Sequence, residues 1–391
     1  MTWGQQAGYA AGAPGAPAPG PVRRSGRSTL RRWLLAGVIV IGFALAAIVL
    51  AVYYGATLGV VTSLLAILLA AIPLGIVIPT FLWLDRFEAE PTRYLLVAFG
   101  WGALVAALVA GIFNTGANIA FQAATGGAEE ASLATAVFSA PLVEEAVKGL
   151  LVLLVWRLRR REFDGIIDGM VYAGIVAAGF AFTENIQYLG MAYADGGDAA
   201  LTGTFIARCL FTPFAHPMFT VLTGIGIGIA ATTRSRTLRV LAPVAGYVLA
   251  ALLHAVWNLA AVTGGAGLLT VYVLVEVPIF IAFVGLVVWA RRREGRLIGR
   301  YLSAYADAGW LSPSEVQMLS TMSGRRNARV WARSAGRSSL ASMRSFQDSA
   351  SELALLRARM HHSAADDHAL QTERELLDAL TTRRREFLGA Y

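Results

Sequence analysis

Two adjacent carboxylates and an ammonium stand in the middle of an apolar run: Glu144, Glu145 and Lys148, within Pro141–Gly149, in a stretch from about Ala131 to Trp156. At the depth of lipid tails each charge costs roughly 2.5–3.5 kcal/mol even on insertion scales. Lys148 is the only lysine in the sequence. It follows Glu144 by four residues and Glu145 by three, so on a helix it can reach back to either carboxylate. Neighbouring side chains point about 100° apart on a helix, so at most one glutamate aims straight into a central cavity while the other supports it from the side. A carboxylate balanced between a like charge and an ammonium is suited to taking a proton from water.

Further along, more polar groups recur inside apolar segments. Glu184 is preceded by Phe180 one turn earlier and followed by Asn185. His216 lies between Pro213 and Pro217, which bend a helix or free its carbonyls, and Thr220 follows one turn on. His254 and Asn258 are four apart on one face. Carboxylates, imidazoles and an amide are the parts needed to activate water and hold a developing oxyanion. A cluster of this kind could merely lock helices together, but apolar side chains would do so at lower cost. Asp164 and Asp168 open a helix, where capping accounts for them. Arg208 either pairs with a carboxylate or snorkels, and Glu276 reads as structural.

These residues need helices to carry them, and the composition supplies helices of one kind. The 391-residue chain is 56% hydrophobic and 15% charged, with a mean hydropathy of +0.58. That is membrane composition. The fold class expected is all-α: a polytopic membrane protein with about eight transmembrane helices and a helical C-terminal tail in the cytoplasm. The spans run near 33–54, 59–84, 94–122, 131–156, 165–189, 205–232, 239–261 and 267–290, each long enough for a bilayer core. Arginines fill alternate connections: Arg86 and Arg93; Arg157, Arg159, Arg160 and Arg161; Arg234, Arg236 and Arg239; Arg291, Arg292, Arg293 and Arg296. The connections Tyr54–Thr57, Gln122–Glu130, Gly190–Thr204 and Thr263–Gly267 hold no Lys or Arg. That asymmetry puts both termini in the cytoplasm. The net charge of +8 therefore reads as topology and attraction to anionic lipid, with no nucleic-acid partner. Cys209, the single cysteine, excludes an intrachain disulfide and a cysteine metal site.

Three regions follow from this. Residues 1–32 are a disordered Gly/Ala/Pro tail with a basic flank (Arg23, Arg24, Arg27, Arg31, Arg32), and the first apolar run reads as a retained anchor, too long for a signal peptide. Residues 33–295 form the eight-helix domain. Residues 296–391 are a cytoplasmic helical region, in which Ser312-Pro313-Ser314-Glu315 marks a helix start with a capping box. Helical patterns continue over about 339–360 and 367–388. His361, His362, Asp366, Asp367 and His368 read as a solvated turn between helices. The sequence names no partner for this tail. Counting 1.5 Å of rise per residue puts Glu144, Glu145 and His216 near the midplane, His254 somewhat outward of it and Glu184 roughly 12 Å outward. Four consecutive helices thus deliver polar groups to the central and outer membrane.

Taken together, Glu144-Glu145-x-x-Lys148, Asp164-Gly165-Ile166-Ile167-Asp168-Gly169, Phe180-x-x-x-Glu184-Asn185, His216 with Thr220, and His254-x-x-x-Asn258 resemble the PrsW family of bacterial intramembrane proteases. That family is related to the CAAX prenyl endopeptidases. The match is close over spans four to seven. The resemblance implies a multi-pass protein of the bacterial cell membrane that makes the first cut in a membrane-anchored regulator, an anti-sigma factor, on the extracytoplasmic side. Its partners would be that single-span substrate and the lipid bilayer. Compared with the prenyl endopeptidase pattern, Lys148 stands one residue closer than the usual Arg, and Glu184 replaces a His. The implied catalytic set is Glu144, Glu145, Glu184, His216, His254 and Asn258, with Lys148, Phe180 and Thr220 in support.

Two chemistries fit that set. In one, Glu144 or Glu145 takes a proton from water, His216 or Glu184 positions it, and His254 with Asn258 holds the oxyanion. In the other, a zinc is held by His216, His254 and a glutamate, Glu184 in the set named here, with another glutamate as base. The family is known as metalloproteases, yet the chain has no His-Glu-x-x-His helix. A proton-coupled transporter would also place Glu, His and Lys in the membrane, but paired halves with matched interruptions are expected there. A non-catalytic signalling scaffold would leave the converging carboxylates without a purpose.

Overall fold

The structure is a computed structural model of the 391-residue chain that describes residues 26–87, 90–159, 163, 165–263, 269–362 and 367–389. The expected N-terminal tail with Arg23 and Arg24, the side chains of Arg27, Arg31 and Arg32, and Arg160, Arg161 and Asp164 lie outside the described residues. So do the connection 264–267 and the side chains of His362, Asp366, Asp367 and His368.

Among the described residues the chain is helical, with no strand. In order come α1 (Gly26–Thr57), α2 (Val60–Leu84), α3 (Thr92–Thr125), α4 (Ala140–Leu158), α5 (Ile166–Phe205), α6 (Ala215–Thr232), α7 (Arg236–Thr263) and α8 (Leu269–Asp307). Four further helices follow: α9 (Pro313–Leu319), α10 (Met322–Ser334), α11 (Arg337–His362) and α12 (Asp367–Leu388). The chain is an all-α polytopic membrane protein. By length and composition, 6 described helical stretches can cross a membrane. One of them, Ile166–Thr232, has 67 residues, about 100 Å of helix, and contains both the expected fifth and sixth spans. The expected fourth span is helical through Ala128–Ala134, a π turn at Thr135–Ser139, and α4. Glu144, Glu145 and Lys148 are what set it apart from the purely apolar stretches.

The expected connection Gly190–Thr204 is helical too, apart from one break. Gly196 has φ −143° and Gly197 has φ 63° and ψ −152°, a conformation open only to glycine, so the reversal is concentrated at the Gly-Gly pair. The second break, at Thr212–Phe214, follows a π turn at Ile206–Phe211 and precedes His216. Pro213 lacks the N–H that would carry the helix through it.

Two compact units share the chain: one is Ser25–Asp85 with Glu90–Val287, and the other includes Arg86–Ala89 and Val288–Tyr391. In the first, α5 is the central element, buried almost continuously from Ile167 to Phe180 and packed on α2, α3 and α6. Gly169 of α5 faces Gly224 of α6, and a Cβ on either would overlap the other's carbonyl, so only glycine permits this crossing. Asp168 caps α5 as expected, its Oδ2 accepting from the Gly165 N–H at 2.8 Å.

The second unit has its own apolar core, with Ile298, Leu302, Leu319, Phe346 and Leu353 at its centre. The expected capping box is present: the Glu315 N–H donates to Ser312 Oγ at 3.2 Å, and the Ser312 N–H to Glu315 Oε2 at 2.7 Å. Arg325 is fully buried and donates to the Leu319 and Phe87 carbonyls and to Ser351 Oγ.

Candidate active site

Five helices of the first unit bring polar side chains to one buried cluster. α4 supplies the centre. Glu145 and Lys148 are both 0% exposed, and Lys148 Nζ donates to Glu145 Oε1 at 2.5 Å. The same oxygen accepts from His254 Nδ1 of α7 at 3.0 Å, and Thr220 Oγ1 of α6 donates to Oε2 at 2.8 Å. Both oxygens of Glu145 are thus spoken for.

Glu144 is held differently. Asn114 of α3 donates to its Oε1 at 3.2 Å, and Ser139 Oγ donates to Asn114 Oδ1 at 3.0 Å. Its Oε2 is buried with no hydrogen-bond partner among the described residues, and lies 3.8 Å from His254 Nε2. With the Nδ1–H of His254 given to Glu145, Nε2 of the neutral ring is a bare lone pair. Two acceptors therefore face each other across that gap, a repulsive arrangement unless a donor or a cation sits between them.

A second carboxylate orients the other histidine. His216 Nε2 donates to Glu184 Oε2 at 2.6 Å, which leaves Nδ1 to accept from Lys148 Nζ at 3.3 Å. Arg208, presented by the π turn Ile206–Phe211, donates to Glu184 Oε2 at 2.5 Å and through Nε to Asn185 Oδ1 at 2.9 Å. It lies 3.9 Å over the Tyr188 ring, so its guanidinium is packed as well as paired. Aromatic rings close the cluster: Lys148 Nζ sits 4.5 Å over Phe180, and the His254 ring stacks on Phe219 at 5.3 Å. The two imidazole centroids are 5.1 Å apart.

Of the sequence candidates, Glu144, Glu145, Glu184, His216, His254, Lys148, Phe180 and Thr220 all converge here. Asn258 makes a different contact: its Nδ2 donates at 2.8 Å to the Ala136 carbonyl, in the π turn that leads into α4. The 12 Å offset expected for Glu184 is absent, since its carboxylate touches His216. Counting along straight helices misses the π turn and the break that precede His216. Arg208 takes the carboxylate-paired state of its two expected alternatives. Asn114 and Ser139 were not singled out from sequence as site residues. Their only signal was polarity within apolar stretches. Glu276 is buried, in a π turn at Tyr272–Glu276.

The donor atoms of Glu144, His216 and His254 lie within 4.8 Å of one another, and form a group among the described residues able to hold a metal ion. Zinc ligands stand about 2 Å from the ion, hence about 3–4 Å from each other. The unpaired Glu144 Oε2 facing His254 Nε2 meets that requirement, and His216 would exchange Lys148 or Glu184 to join them. The residues fit a zinc. Glu184, the carboxylate of the set named from sequence, is engaged by His216 and Arg208.

A helical membrane bundle that buries carboxylates against two oriented histidines has the makings of an intramembrane hydrolase. Residues 90–283 match the family model described as PrsW family intramembrane metalloprotease. The protease PrsW of Geobacillus kaustophilus is 35% identical over 162 residues, 41% of this chain and 65% of that protein. The protease PrsW of Clostridioides difficile is 32% identical over 160 residues, 40% of this chain and 62% of its own length. That of Oceanobacillus iheyensis is 28% identical over 198 residues, 50% of this chain and 82% of the relative. The chain thus spans under two thirds of the length of the first two. No solved structure matches. Over residues 90–283 the chain is similar to the PrsW family.

Proposed function

We propose that this protein is an intramembrane protease that hydrolyses a peptide bond in a membrane-anchored regulatory protein. The observation that carries the reading is the unpaired Glu144 Oε2, buried opposite the Nε2 of His254, within a family domain described as a metalloprotease. A buried carboxylate oxygen left without a partner is costly unless function uses it. It serves either as proton acceptor from water or, together with His216 and His254, as ligand to a zinc. A zinc bound there supplies Lewis acidity toward the substrate carbonyl and makes water a better nucleophile at neutral pH.

The remaining residues act by position. Glu145, saturated by Lys148, Thr220 and His254, fixes the tautomer and angle of His254. Glu184 and Arg208 do the same for His216, and Lys148 balances the carboxylates. His254 and His216 face the reacting carbonyl, with Asn258 holding the turn at Ala136 in place. In our reading Glu184 and Asn258 support the chemistry through these contacts.

The domain crosses the bilayer eight times with both termini in the cytoplasm, a reading supported by the arginines of the alternate connections. On that topology we read the Glu184–Arg208 pair, late on the outward-running α5 and early on the inward-running chain that follows, as the outer side of the cluster. The substrate is then a single-span protein of the anti-sigma factor class, cut first on its extracytoplasmic side. Residues 33–295 carry the protease and residues 296–391 the cytoplasmic region. The test is reconstitution of the purified protein with candidate single-span substrates, with cut sites mapped by mass spectrometry. Cleavage abolished by Glu144→Gln and His254→Ala is expected. Undiminished cleavage in both variants would overturn the site.

A further inference from the structure

The second unit carries a basic face that the proposed protease chemistry does not use. Between Glu315 and Asp348 the sequence has six arginines (Arg325, Arg326, Arg329, Arg333, Arg337 and Arg344) and no acidic residue. Two of them are taken up internally: Arg325 is buried, and Arg329 Nε donates to Gln347 Oε1 at 2.6 Å. Arg326, Arg333 and Arg337 are exposed and pair with no carboxylate among the described residues.

On α10, Arg326, Val330 and Arg333 follow at spacings of four and three, so they form one stripe on the side opposite the buried Arg325, Ala328 and Ala332. Val330 is 62% exposed in the middle of that stripe, and Trp331 beside it is 37% exposed, its ring edge-on to Phe387. Arginines flanking an exposed aliphatic and an indole are what an interfacial helix presents to lipid: cations for headgroup phosphates, and apolar side chains for the acyl boundary.

We propose that this face of α10, with Arg337, docks on the anionic headgroup surface of the bilayer that the chain itself spans. Two observations favour lipid over a nucleic acid, the other polyanion such arginines suit. The exposed Val330 contributes nothing to a phosphate backbone but is stabilised at the acyl boundary. The first unit also anchors the chain in a bilayer, so this surface is present at high effective concentration. Each arginine is worth about fivefold in docking to an anionic surface, and losing three lowers it on the order of a hundredfold.

The test uses the full chain in nanodiscs with a spin label at Asn327→Cys, an exposed α10 position lying between Val330 and Trp331 around the helix. Cys209 is buried, and the unsubstituted protein serves as the labelling control. Collision with an aqueous nickel reagent and with oxygen reports depth. In discs containing phosphatidylglycerol the label is expected to lose at least threefold of its nickel accessibility and gain oxygen accessibility. Zwitterionic discs or 0.5 M salt should reverse this, as should Arg326→Gln, Arg333→Gln and Arg337→Gln together. If that triple variant misfolds, the lipid and salt comparisons on the Asn327→Cys protein with its arginines intact decide alone. Equal accessibility in both lipids overturns the proposal. Shielding in zwitterionic discs by added RNA or DNA, but not by anionic lipid, also overturns it and assigns the face to nucleic acid.

Discussion

Replacing each glutamate of the pair by glutamine separates two roles that their adjacency conceals. Glu144 accepts one hydrogen bond, from Asn114 to Oε1, and its Oε2 faces the bare Nε2 of His254. Glutamine keeps Oε1 and turns Oε2 into an N–H donor, so Glu144→Gln converts two facing acceptors into a donor–acceptor pair. The expected effect on stability is zero to a gain of about 0.5–1.5 kcal/mol. Its effect on cleavage is a loss of about 10²–10⁴-fold, because an amide neither takes a proton nor holds a zinc as a carboxylate does. Glu145→Gln behaves in the opposite order. It removes the carboxylate that, among the described residues, is bonded to Lys148, a fully buried ammonium, and one side of its contacts to Thr220 and His254. An uncompensated buried charge costs about 3–5 kcal/mol, so thermal unfolding in detergent should shift sharply downward. Both quantities come from one preparation: substrate cleavage in liposomes, and the unfolding midpoint in detergent. Glu144→Gln cleaving at the wild-type rate, or unfolding as early as Glu145→Gln, would refute the assignment of the free oxygen.

Asn114→Ala deletes the donor that fixes Glu144 and should lower kcat about tenfold with little change in KM, as expected for one lost positioning hydrogen bond; a change confined to KM would point to substrate binding instead. Arg208→Met leaves the partly buried Glu184 with His216 as its remaining partner among the described residues and should destabilise the domain by about 1–3 kcal/mol, whereas Arg208→Lys restores part of that but not the bond to Asn185. Thermal unfolding of the two variants distinguishes this from a surface arginine, for which both would be neutral. Elemental analysis of purified protein should find about one zinc per chain, with cleavage stopped by a chelator and restored by added zinc. His254→Ala should lose metal and activity together, and full activity in metal-free protein would leave proton transfer by Glu144 as the whole chemistry.

Much of the architecture is written in local pattern. Apolar runs of bilayer length dictate helices because backbone groups have no other partners in lipid. Ser312-Pro313-Ser314-Glu315 specifies its capping box through side chains three residues apart. The polar residues that converge were also visible one by one, because an ionisable group within an apolar run stands out whatever the fold. Which contacts they make was not visible. Glu144 and Glu145 have the same neighbours in sequence, yet one is saturated and the other keeps a free oxygen, because α3 sends Asn114 to the first while α6 and α7 send Thr220 and His254 to the second. Spacing within a helix sets only the angle between its own side chains. Where those side chains meet others depends on helix crossings and on local departures from 3.6 residues per turn. The crossing of α5 and α6 at Gly169 and Gly224, the break before His216 and the π turn at Thr135–Ser139 are such features. They turn Asn258 to the Ala136 carbonyl and bring Glu184 to His216; Pro213 marks the break locally, but the contacts that result depend on how the helices pack.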